Sequence, residues 1–381
     1  MWMVWATAAL VLIALTLVDA FETIIQPRRV THRFRFARLY YRTSWSIWRS
    51  LAPRFSSNRG REAFLSVFGP MSMLGLLFTW LTLLIIAFGV LHWSLQTTIT
   101  APERAHDFAT YLYLSGTTIF TLGFGDVTPM RGLGRSLAVI ESGLGFGFLA
   151  LIISYVPVLY QAYSVRETTI GLLDARAGSP PTAGQFLLRI ARGGNIHAVD
   201  SILAEWERWS AELLEIQLSF PVLTYYRSQH DNQSWLAALA MILDTCALLL
   251  VEVKRSNSYQ SQLTFAMARH AAVDLSLVLK ARPYLSEDGR FSRSQRESLR
   301  TALAAAGVTL NENADSEARL SELRGMYEPF LFALADRFLF ALPPIHTDEK
   351  SADNWQRSAW MQRAPGIGSL PIASTDAEHF D

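Results

Sequence analysis

The sequence predicts an all-α membrane protein: three transmembrane helices, one re-entrant loop between the second and third, and an all-helical cytoplasmic domain. Three observations predict this class. Three long apolar stretches are almost free of charge, a shorter apolar stretch lies between the second and third, and beyond residue 166 the pattern turns to helices with charged faces. Composition agrees, since half of the 381 residues are apolar and only 18% are charged, which is low for a chain wholly in water.

Residues 1–25 form the first expected span. Trp2–Val18 carries no charge, and crossing a bilayer takes about 20 residues at about 1.5 Å each. A signal peptide fits less well, because no Lys or Arg precedes the apolar run. The second span, 63–93, holds no Asp, Glu, Lys or Arg, and the third, 136–163, holds one charged residue, Glu141. Ten arginines lie between Arg28 and Arg61, opposed nearby only by Glu62, whereas Ser94–Asp107 holds the single Arg104. By the positive-inside rule the loop 26–62 is cytoplasmic and the amino terminus is outside. The domain after the third span is then cytoplasmic, and the location expected is the plasma membrane (the inner membrane of a bacterium).

Within the basic loop, Phe34, Tyr41, Trp45 and Trp48 fall on one helical stripe, and Arg35, Arg38, Arg42 and Arg49 on its neighbour. This pattern predicts an amphipathic helix on the inner leaflet, with rings at headgroup depth and arginines touching lipid, anionic by charge complementarity. The alternative is a helix packed on the cytoplasmic domain.

The segment Thr117–Pro129, TTIFTLGFGDVTP, follows an apolar pore-helix candidate at 107–120 that is too short to span. Glycine-rich backbone at membrane depth is tolerated where it is buried in protein or lines a water-filled path. Backbone carbonyls in a ring replace the hydration oxygens of K⁺. Gly123 and Gly125 permit backbone angles that turn successive carbonyls the same way. Thr121 offers a hydroxyl at the inner end, and Leu122 and Phe124 are expected to point away from the axis and pack the turn against its helix.

Thr121-Leu122-Gly123-Phe124-Gly125-Asp126 resembles the Thr-Val-Gly-Tyr-Gly-Asp selectivity filter of potassium channels, and the likeness covers about Ala63–Tyr163. The resemblance implies a K⁺ filter of Thr121, Leu122, Gly123, Phe124 and Gly125, with Asp126 at its mouth. K⁺ is then the permeant ion and no organic cofactor is implied. A ring takes four such loops and this chain has one, so a homotetramer is expected. The departures are Leu122 for Val, Phe124 for Tyr, Phe120 where a second threonine is frequent, and Thr117 where some members carry a glutamate. With Phe124, the bracing hydrogen bond of a filter tyrosine is absent.

The third span holds Gly143, Gly145 and Gly147, and the resemblance places a hinge near Gly145; close helix packing is the alternative. Pro157 is a second bending point. Glu141, one or two turns into this helix, is read as an electrostatic group of the pore, or as a hydrogen-bond partner of a neighbouring pore helix.

The domain 166–345 reads as helices, one in SPPTAGQFLLRIARGG, then 195–218, 232–254, 258–281, 292–306 and 315–341. Trp235–Val253 is apolar enough to suggest a fourth span, but Asp244 and Glu252 favour a helix buried in a bundle, with Cys246, the one cysteine, as a reduced core thiol. His197, His230 and His270 show no metal-ligand spacing. No nucleotide-binding glycine turn, voltage-sensing arginine ladder or nucleophile–base pairing is evident, so no enzyme is expected. A net charge of +1 gives no pull toward nucleic acid. The tail 346–381 is read as disordered, and the sequence identifies no gating ligand. Two other readings stand beside the potassium channel: a weakly selective cation channel, and a non-conducting membrane-anchored helical scaffold.

Overall fold

The computed structural model describes residues 1–26, 35–102, 107–193, 198–228, 232–286, 289–313 and 315–348. Phe34, Arg104, His197, His230 and the tail from 349 onward lie outside the described residues. The chain divides into two compact units, Met1–Gln161 and Ala162–Asp381.

The first unit contains helices α1 (Trp2–Ile24), α2 (Phe36–Leu51), α3 (Asn58–Ser94) and α4 (Phe108–Ile119), with α5 (Gly132–Ala177) continuing past its boundary. Helices α1, α3 and α5 are long and apolar enough to cross a membrane, and the protein is an integral membrane protein. Ser57 caps α3 by accepting from the Gly60 amide, and Pro70 lies inside that helix. Ala9 and Ile13 of α1 pack with Leu84, Ala87, Phe88 and Leu91 of α3 around Ile119 of α4. The rings of Trp2 and Trp93 meet edge to face at 5.2 Å. Strands β1 (Ile99–Thr100) and β2 (Thr128–Pro129) pair antiparallel, Ile99 opposite Pro129.

The second unit is helical: α6 (Ala183–Arg192), α7 (Val199–Ser219), α8 (Trp235–Val251), α9 (Tyr259–Val278), α10 (Arg293–Ala305), α11 (Ser316–Gly325) and α12 (Glu328–Phe338) follow the end of α5. Helix α8 is the centre of the core, with all its residues except Leu250 buried. The acid inside it, Asp244, and the one that follows its end, Glu252, are met by arginines. Asp244 receives Arg290 at 2.6 Å, and Glu252 receives Arg296 at 2.7 Å together with Arg300. Cys246 is a buried free thiol, which burial pushes well above its ordinary pKa.

The sequence predicts one helix over 315–341, whereas the structure divides it at Met326 and Tyr327. Pro329 is the cause: it has no amide hydrogen to continue the ladder and sits in the first turn of α12, where none is needed. The described residues also run past the expected boundary at 346. His346 is buried beside Gly184, and the Gly184 amide donates to the Ile345 carbonyl at 2.9 Å.

Burial pushes the hydroxyls of Tyr225 and Tyr226 up to about 12. Above pH 10 the unfolded chain therefore loses these protons before the folded one, and the free energy shifts toward unfolding until about pH 12. Melting followed by circular dichroism is expected to show a falling midpoint across that interval and no such trend from these groups below it.

Candidate functional site

Helix α4 begins where the Asp107 carboxylate accepts from the Thr110 amide at 3.0 Å. Its 12 residues reach about 18 Å at ~1.5 Å each, short of a bilayer's hydrocarbon core. Three contacts hold it. Gly89 of α3 lets the backbone of Leu112 approach closely. The Tyr111 hydroxyl donates to the Thr97 carbonyl at 3.1 Å, and the Ser115 hydroxyl lies 2.9 Å from the Ile85 carbonyl.

At its end the chain turns tightly, with the Leu122 amide donating to the Thr117 carbonyl at 2.8 Å. Thr121, Gly123 and Gly125 then take φ of 54°, 55° and 82°, and none of the residues between them lies in that left-handed region. An added Cβ would meet nothing at either glycine, so the requirement there is the backbone angle rather than space. Thr121 adopts the same region without being glycine, at a cost of about 1–2 kcal/mol, the kind of local strain found where function fixes a backbone. An alternating backbone of this kind directs successive carbonyls to one side.

Two expectations about this turn need correction. Leu122 and Phe124 are not buried against their own helix: they are 55% and 68% exposed, and the buried cluster of Tyr111 and Leu114 of α4 with Ile99 and Val127 does not include them. Nor is the turn without a tyrosine brace. The Tyr113 hydroxyl of α4 donates to the Asp126 carboxylate at 2.8 Å, supplying from the helix what Phe124 cannot supply from the turn.

Glu141 makes a hydrogen bond to a re-entrant helix, that of its own chain. It is fully buried, accepts from the Ser115 hydroxyl of α4, and faces His92 Nε2 of α3 at 3.5 Å. The other ring nitrogen of His92 lies 3.0 Å from the Thr97 hydroxyl. The carboxylate therefore joins the outer, re-entrant and inner helices of one chain and contributes no exposed ring of charge. A buried acid in a span needs a partner, which was legible; that the partners are His92 and Ser115 follows only from packing.

Among the three glycines of α5, Gly145 is pressed against the end of α4, where an added Cβ would fall onto the Ile119 carbonyl oxygen. Nothing lies within 4 Å of the Cβ positions at Gly143 and Gly147. Of hinge and packing, the structure gives Gly145 a packing role. Pro157 lies inside α5, which continues through it. Beside Thr121, which forms part of its wall, an apolar recess is lined by Leu81, Ile119, Phe120, Gly145, Phe146 and Phe148.

The basic helix also turns differently from the expectation. Trp45 packs on Phe68 at 4.8 Å and Trp48 stacks on Phe64 at 4.5 Å, so both rings cover α3. Arg35 turns inward, donating to the Glu22 carbonyl at 3.2 Å with the Glu22 carboxylate 3.7 Å away. Arg38 and Arg42 are exposed and Arg49 is partly buried. Asp19, in the last turns of α1, is buried and accepts from Trp80 Nε1 at 2.9 Å and from the Ala37 amide at 3.0 Å.

Spanning helices around a short re-entrant helix, ending in a turn of alternating handedness, define an ion-channel pore. The chain belongs to the ion channel family, whose model matches residues 76–161, from the middle of α3 through the turn into α5. It is 26% identical over 209 residues to an uncharacterized membrane protein, YdjJ, of Bacillus subtilis, a match covering 54% of this chain and 60% of that protein. It is 31% identical over 94 residues to Protein LctB of Geobacillus stearothermophilus, covering 22% of this chain and 69% of that one. A third match, 46% identical over 43 residues, is to Protein LctB of Bacillus caldotenax, covering 11% of this chain and 31% of the relative. No solved structure matches.

Proposed function

We propose that this chain is the subunit of a potassium-selective channel that conducts passively through a ring of backbone carbonyls. The observation that carries the reading is the left-handed alternation at Thr121, Gly123 and Gly125 within Thr-Leu-Gly-Phe-Gly-Asp. Four copies supply the ring, each contributing one loop. The exposed Leu122 and Phe124, with Val139, Ile140, Phe146 and Ile153 exposed along α5, are apolar surface that such an assembly covers. The arginines of 26–62 support a cytoplasmic loop and helical domain with the amino terminus outside, and the membrane proposed is the plasma membrane, the inner membrane of a bacterium. K⁺ is cargo here, and no catalytic step is assigned.

Phe124 in the family's tyrosine position favours one second reading, a cation channel of weak selectivity. Reversal potentials of the purified protein in planar bilayers separate the two. Under a KCl gradient a selective pore reverses near the K⁺ equilibrium potential, and that potential shifts strongly when NaCl replaces KCl on one side. Indifference to the exchange supports the weakly selective pore, and absence of current from a folded tetramer counts against both.

A further inference from the structure

Helix α2 presents two unlike faces. Its inner face is fixed to the spanning helices: Ala37 and Trp45 are buried, and Trp48 Nε1 donates to the Phe64 carbonyl at 3.2 Å in addition to its ring stacking. The beginning of the helix is tied down by Asp19, whose carboxylate accepts from the Ala37 amide while holding Trp80 of α3. Trp80 in turn meets the ring of Phe148 on α5 at 6.1 Å. The helix is thus fixed against α1 and α3.

The outer face is itself amphipathic. At 100° per residue, Arg38 and Arg42 occupy one flank and Phe36, Leu39 and Ile47 the other, with Ser46 between the two groups. All are exposed, Phe36 by 37%, Leu39 by 48% and Ile47 by 63%. Three uncovered apolar side chains would be wasted against water, and guanidinium groups would be wasted against hydrocarbon. A membrane surface satisfies both flanks, with apolar side chains entering the acyl boundary and arginines meeting phosphate. The nine other arginines between 28 and 61 that accompany Arg42, against one glutamate at 62, make an anionic surface the electrostatic match.

We infer that the outer face of α2 is a binding surface for anionic lipid headgroups, with Arg38 and Arg42 as the headgroup contacts and Phe36, Leu39 and Ile47 as the wedge. The inference rests on α1 and α3 crossing the membrane and is independent of which ion the pore selects. The partner is a lipid surface, not free phosphate and not an acidic soluble protein.

The test uses the full chain with Ser46→Cys labelled by an environment-sensitive fluorophore; the native thiol, Cys246, is buried and does not compete. The labelled protein is reconstituted into vesicles of phosphatidylcholine alone or mixed equally with phosphatidylglycerol. The expected result is a blue shift of the label in the mixed vesicles, lost in Arg38→Gln/Arg42→Gln and weakened by high salt in the unaltered sequence. Salt acts on the folded parent protein, so misfolding of the variant does not remove the test. The surface is refuted by an emission that is the same in both vesicles, or by a shift that neither charge removal nor salt reduces. It is equally refuted if inorganic phosphate or a soluble acidic peptide produces the full shift in neutral vesicles. The readout needs no current, so a failed lipid response and a failed potassium reading are told apart.

Discussion

Arg290→Met is expected to destabilise the helical domain by about 3–5 kcal/mol, the usual cost of removing one partner from a buried ion pair. Asp244 is 1% exposed at the middle of α8, and Arg290 reaches it at 2.6 Å with its side chain only 6% exposed. The same guanidinium donates to the Pro343 carbonyl through two nitrogens at 2.8 and 3.0 Å, tying down the segment after α12. Tyr327 donates to Asp244 at 2.7 Å, and its hydroxyl is held well above its ordinary pKa by burial and then by that carboxylate. Without Arg290, a tyrosine hydroxyl alone faces the buried charge. The double variant Asp244→Asn/Arg290→Met removes the charge as well and is expected to recover more than half of the loss. Thermal melting of the detergent-solubilised protein compares the two, and equal midpoints would show that the charge is not the source of the cost.

Gly145→Ala is expected to reduce ion flux into proteoliposomes by at least about tenfold, while Gly143→Ala leaves it within about twofold. An added methyl at 145 falls onto the Ile119 carbonyl, at the last turn of α4 and two residues before Thr121. Backbone does not yield as a side-chain tip does, and overpacking costs typically about 1–3 kcal/mol. The displacement must be taken up by the end of the re-entrant helix or by α5. Position 143 has open space around it and tests helix flexibility alone. If Gly143→Ala reduced flux as much as Gly145→Ala, bending rather than contact would be the limiting property.

What was legible in the sequence is what depends on neighbours along the chain. The spans follow from uninterrupted apolar runs, and the turn at 121–126 from glycines at alternating positions, each of which the backbone uses at positive φ. The break before α12 was also legible in Pro329, although the periodicity on either side obscured it. What escaped depends on residues far apart in sequence. Tyr113 and Asp126 are separated by 13 positions, Ser115 and Glu141 by 26, and Asp19 and Trp80 by 61. In each case the polar group marks a need for a partner without naming it. The arginine stripe shows the same limit: Arg35 and Arg42 share a face by count, yet Arg35 lies at the helix start, within reach of Glu22. Likewise the tryptophans of α2 read as membrane anchors until α3 is seen to offer Phe64 and Phe68.

Helix α8 has a bearing on how the chain is made. Its 17 residues are apolar enough to resemble a spanning segment, and while the chain emerges from the ribosome neither α7 nor α9 has yet closed around it. The insertion machinery then meets a hydrophobic stretch shortly after releasing three others. An aspartate at the middle of such a stretch adds about 3 kcal/mol to the cost of entering the bilayer. Asp244 thus raises the cost of membrane entry, and in the finished domain the same carboxylate is met by Arg290 and Tyr327. A leucine there would ease packing and invite a fourth crossing, carrying everything downstream to the opposite side of the membrane.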